Sequence, residues 1–202
     1  MITRTIAAAA LMMTLSTAGI AKDDAVTVYG GFRDGGSFTV VDTGETLGLD
    51  GNGTVSLALD IGVDSARQLQ FFLSHQRTDL SLEGAPAAGS TALPMSITYL
   101  QFGGTNFFMG DVGKGPYVLG GIGVTFFDPS QGYSSELRPS GNLGIGFQLP
   151  LGETFALRFE ARGYATLINS SGGFFCSGGC VVSIQGDVIT QGEVMLGLSA
   201  RF

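Results

Sequence analysis

The sequence predicts an all-β fold, a transmembrane antiparallel up-and-down β-barrel of about eight strands. Three observations predict it. The chain is apolar overall, with a positive mean hydropathy and only 13% charged residues. After residue 21, however, no run approaches the ~18 consecutive apolar residues of a spanning helix. Apolar residues recur instead at every second position, between Gly-, Ser-, Asp- and Pro-rich stretches that are alternately short and long. Inside hydrocarbon every backbone polar group must be paired internally, which only helices and closed barrels achieve. With spanning helices excluded, the alternation reads as membrane strands, and the 33 glycines agree, since glycine disfavours helix interiors.

Residues 1–21 read as a secretory signal peptide. Arg4 supplies the positive region, Ile6 to Leu15 a short apolar core, and Gly19-Ile20-Ala21 the small residues that a signal peptidase needs, with cleavage after Ala21. Residues 22–202 then form one barrel domain. Cleavage removes one Arg and no acid from a chain of net charge −7, leaving 9 basic and 17 acidic residues, or −8. That balance excludes nucleic acid as a partner, because phosphate backbones require basic patches.

The strands follow from the period of two. Val55, Leu57, Leu59, Ile61 and Val63 share one face, as do Leu69, Phe71 and Leu73. Leu143, Ile145, Phe147 and Leu149 form a third set, Phe155, Leu157, Phe159 and Ala161 a fourth, and Val194, Leu196, Leu198, Ala200 and Phe202 a fifth. Weaker alternation marks 26–33, 95–108 and 116–127. Each segment is roughly the 9–11 residues that cross a bilayer at a tilt. Connections at 64–67, 110–115 and 150–153 are short, whereas those at 34–52, 78–94, 128–140 and 168–187 are long. Short periplasmic turns and long outer loops alternate in this way in outer-membrane barrels, and an even strand count leaves both termini in the periplasm.

The faces decide between a water-soluble and a membrane barrel. A soluble barrel has an apolar inside; here one face of the best strands is almost wholly aliphatic and aromatic, and the other carries small, polar and charged residues. Arg33, Asp60, Arg158, Glu160, Arg162, Glu193 and Arg201 all fall on the polar faces. Four Arg and three acids fit a narrow lumen filled by ion pairs, since eight strands enclose only enough room for side chains. A proton or ion path is the functional alternative for the same cluster.

At this point the chain resembles the small outer-membrane β-barrel superfamily of the outer-membrane protein A transmembrane domain and its single-barrel relatives. Pro116-Tyr117-Val118 with Gly120-Gly121-Ile122-Gly123 is similar to the family's fifth strand, and Arg158-Phe159-Glu160-Ala161-Arg162-Gly163-Tyr164 to its seventh. The terminal Phe202, with Gly197 upstream, resembles the signal read by the barrel assembly machinery, although Ala200 stands where an aromatic is common and Met195 where a polar residue is common. The resemblance covers the mature chain. It implies a fold, and folds of this kind transfer function poorly.

Candidate sites are few. Cys176 and Cys180 flank Ser177-Gly178-Gly179 in the last long loop, and in an oxidising envelope the pair reads as a disulfide. A zinc site would need four ligands, and the single His, His75, lies far away in sequence, so neither metal nor cofactor is expected. His75 continues the outward face of Leu69, Phe71 and Leu73, with Arg77 beyond it, at the height of lipid headgroups. Its neighbour Ser74 points to the opposite face, so no Ser–His–acid set is visible and no enzyme is expected. Asp34, Asp42, Glu45 and Asp50 make the first long loop a solvated acidic surface. Tyr29, Tyr99, Phe107, Phe108, Phe126, Phe127 and Tyr164 lie near strand ends, where those that face outward would form aromatic girdles. The expected function is that of a monomeric, Sec-exported outer-membrane barrel. Its role would be structural or one of surface interaction through four long outer loops, in contact with outer-membrane lipid and lipopolysaccharide. A small passive pore and a lipid A-modifying enzyme are the alternatives.

Overall fold

The computed structural model describes residues 23–39, 46–82, 93–109, 111–130, 134–168 and 188–202. The expected signal peptide, Asp42, Glu45, and the Cys176–Cys180 pair lie outside the described residues. The described residues form ten strands: β1 (Ala25–Asp34), β2 (Ser37–Thr39), β3 (Thr46–Leu49), β4 (Asn52–Gly62), β5 (Arg67–Leu82), β6 (Leu93–Phe107), β7 (Gly115–Pro129), β8 (Glu136–Pro150), β9 (Phe155–Leu167) and β10 (Val188–Arg201). Eight of them, β1 and β4 to β10, pair antiparallel in chain order. The pairing of β1 with β10 and of β5 with β6 closes the sheet into a barrel. Closure removes the edge strands that would otherwise carry unpaired backbone groups into hydrocarbon.

The lipid-facing wall is the apolar parity of each strand. On β4, Val55, Leu57, Leu59 and Ile61 are exposed while Ser56, Ala58 and Asp60 are buried. The same alternation puts Phe155 and Phe159 of β9 outside and Arg158 and Glu160 inside. An exposed apolar band continuous around a closed barrel is far larger than the patch that a water-soluble monomer tolerates. The wall therefore faces lipid.

Two loops differ from the reading of the sequence. The segment 78–82, expected in a loop, continues β5, and 136–140 begins β8. β5 extends there because its inner face turns apolar, with Leu80 packed against Met95, Ile97 and Phe127 at the long-loop end, whereas the start of β8 carries the Glu136–Arg138 ion pair. The first long connection is also not irregular throughout, since β2 pairs with β3 and β3 with the end of β5. That small hairpin carries Leu49 into the same buried cluster.

At the opposite end the connections are tight. Asp64 accepts hydrogen bonds from the Ala66 and Arg67 amides at 2.9 Å each, and Arg67 Nε donates to its carboxylate at 2.7 Å. The hydrogen bond from Arg67 holds the Asp64 carboxyl below its ordinary pKa.

Candidate functional site

The interior is filled in three layers. At the short-turn end Phe107, Tyr117 and Leu119 point inward, and Val112, from the turn between β6 and β7, folds over them. At the long-loop end Leu49, Leu80, Met95, Ile97, Phe127, Ile168 and Ile189 form an apolar cap. Between these caps lies a polar layer built around two carboxylates.

Glu160 is the first centre. It accepts from the Tyr29 and Tyr117 hydroxyls at 2.6 Å each and from Arg162 Nε and Nη2 at 2.8 and 2.6 Å. Arg158 Nη2 lies 3.3 Å from it. Arg158 also pairs with Asp60 and donates to the Tyr117 hydroxyl at 3.0 Å. Gln70 joins the two pairs, donating to Asp60 at 2.7 Å and accepting from Arg162 at 2.8 Å. Glu193 is the second centre: Arg33 approaches to 3.1 Å, Tyr164 donates at 2.6 Å, and Ser74 bonds both Arg33 and Glu193. Arg33 lies over the Tyr99 and Tyr164 rings, and Arg162 over Phe72 at 3.6 Å. Charges stripped of water are tolerable only when paired and hydrogen-bonded in this way.

The structure therefore brings six of the seven predicted interior charges together, three Arg and three acids, with a net charge of zero. Arg201 is the exception. It is half-buried at the short-turn rim, its guanidinium against Gly113, because the last strand residue lies beyond the polar layer. Phe202 donates its amide to the Asp24 carbonyl at 3.1 Å beside it.

The aromatics depart from the girdle reading. Only Phe108 and Phe126 face outward, whereas Tyr29, Tyr99, Phe107, Phe127 and Tyr164 are buried inside. The reason is parity, since Tyr29 shares a face with Arg33, and Tyr164 with Arg162 and Glu160. Room for Tyr29, and for Tyr117 at the short-turn end, comes from glycines directly across the sheet: Tyr29 pairs with Gly197, and Tyr117 with Gly146. A Cβ at Gly146 would overlap the Tyr117 ring, and one at Gly197 the Tyr29 ring. Gly146→Ala is therefore expected to cost about 1–3 kcal/mol by overpacking. It would lower the temperature at which the folded band is lost on a heat-modifiability gel. An unchanged transition would show that the ring shifts freely.

Ser74 is buried in the network and His75 exposed on the wall, on opposite faces of β5. Among the described residues no group of three or more His, Cys, Asp or Glu side chains could hold a metal ion.

Solved structures of the same architecture are known. OprG from Pseudomonas aeruginosa aligns over 90% of this chain and 97% of its own, with a TM-score of 0.52 and 13% identity. The fold is that of the small outer-membrane β-barrels. Neisserial surface protein A aligns over 89% of this chain and 97% of its own, at a TM-score of 0.53 and 11% identity. At such identities the likeness speaks for the fold. No family model matches this outer-membrane barrel, and no curated protein matches it in sequence.

Proposed function

We propose that this protein is a sealed outer-membrane barrel with a structural or surface-interaction role, acting through its outer surface and not through its lumen. The observation that carries this reading is the burial of the charges in the polar layer. Arg33 and Asp60 are 0% exposed and Arg158 1%, values that a water-filled channel would not leave on its lining charges. Apolar caps above and below add two further barriers to a hydrated ion. The long connections then lie on the outside, where specificity for adhesion, lipopolysaccharide or a host surface would reside. Ser74 and His75 on opposite faces of one strand support a non-enzymatic role. A mature chain beginning at Lys22 belongs to the same reading and is checked by its intact mass.

Planar-bilayer recording tests the proposal. The folded, mature protein is expected to add no stepwise conductance to the bare membrane. Recurring steps of one size, weakened by substitutions at Arg33 or Glu160, would replace it with a pore.

A further inference from the structure

The lipid-facing wall of β5, β6 and β7 changes character in successive cross-strand rows. Phe71, Phe102 and Ile122 form one row, and Leu73, Leu100 and Val124 the next. His75, Thr98 and Phe126 follow, and then Arg77, Ser96 and Asp128. The hydrocarbon boundary on this wall thus falls between Leu73 and His75. Above it lies a notch of about 380 Å³, lined by His75, Arg77, Asp79, Ser96 and Asp128 among others.

We propose that this notch binds the phosphate of a lipid A-type headgroup in the outer leaflet, with Arg77 as its principal ligand. The inference rests on the outer-membrane placement above and names the lipid contact made there. Arg77 is exposed, and its guanidinium has no partner among the described residues, unlike Arg33, Arg67, Arg138, Arg158 and Arg162. A guanidinium offers phosphate oxygens a planar fork of donors. His75 shares a 2.9 Å hydrogen bond with Thr98 through Nδ1, which holds its ring in the lining of the notch. Asp79 and Asp128 also face the notch, and Asp128 accepts the Ser135 hydroxyl at 2.6 Å. Both carboxylates oppose an anion there, so the contact falls to Arg77, and the test is run without divalent cations, so that no metal bridge through the carboxylates stands in for it.

Native mass spectrometry of the folded, mature protein in detergent reads the binding of phosphorylated lipid A, dephosphorylated lipid A and inorganic phosphate. Phosphorylated lipid A is expected to bind, and Arg77→Gln to weaken it about fivefold, the effect of one basic residue at an anionic surface. Arg67→Gln, at the opposite rim, is expected to leave binding unchanged. Equal binding by Arg77→Gln, equal binding of dephosphorylated lipid A, or no lipid A binding by the unsubstituted protein would overturn the proposal. Inorganic phosphate binding as tightly as the lipid would assign the notch to a free anion instead. Failure of the membrane placement itself is read separately, from the Leu59 substitution below.

Discussion

Replacing Glu160 with alanine is expected to destabilise the folded barrel by about 3–5 kcal/mol, the cost of leaving a buried charge without its partner. Glu160 serves Arg158, Arg162, Tyr29 and Tyr117 together. Without it, three Arg face two acids in a layer of buried side chains. Arg158 retains Asp60, and Arg162 retains a hydrogen bond to the Gln70 carbonyl and its stacking on Phe72 but no acid. The double replacement Glu160→Gln with Arg162→Met removes both charges, and it is expected to recover much of the loss, because no unpaired charge is then left buried and the Gln amide can still accept from Tyr29 and Tyr117. The chain has no Trp, so urea unfolding in lipid vesicles is followed by far-UV circular dichroism and by gel mobility. A single variant within ~1 kcal/mol of the parent would mean that the lumen hydrates readily, and would undermine the sealed-barrel reading as well.

The second large effect tests the solvent outside the barrel. Leu59 stands on the outward face of β4, between Val26 of β1 and Phe71 of β5. In water, Leu59→Arg at an exposed strand position would change stability by no more than about 0.5 kcal/mol. In a bilayer the same change near the middle of the apolar band is expected to cost about 2–4 kcal/mol. Val63, four residues further toward the short-turn rim and also exposed, is expected to accept Arg at about 0–1 kcal/mol. Vesicle unfolding of the two variants measures the difference. Equal, small costs at both positions would show that this wall does not lie in hydrocarbon.

Much of the interior was legible from parity alone. Once Arg158, Glu160 and Arg162 are placed on one side of the seventh barrel strand, the inward set of every other strand follows from its own alternation. The same rule assigns Tyr29 inward with Arg33, yet its position near a strand end suggests a girdle. The glycines opposite the tyrosines were not legible, because Gly146 meets Tyr117 and Gly197 meets Tyr29 only through a register that no single strand encodes. The apolar cap at the long-loop end was obscured for a related reason: Leu49, Leu80 and Ile168 come from the stretches 34–52, 78–94 and 168–187, whose Gly-, Ser- and Asp-rich surroundings read as loop.

The sequence by itself determined which residues face lipid, since side chains alternate along a strand whatever its neighbours. It likewise determined the three strand pairs joined by short turns, because such turns force antiparallel neighbours. Only the tertiary structure decided which charges meet. Closure of the barrel sets the stagger between strands, and that stagger brings Asp60 of β4 to Arg158 of β9 across the lumen, 98 residues apart in sequence, while it leaves Arg201 at the rim.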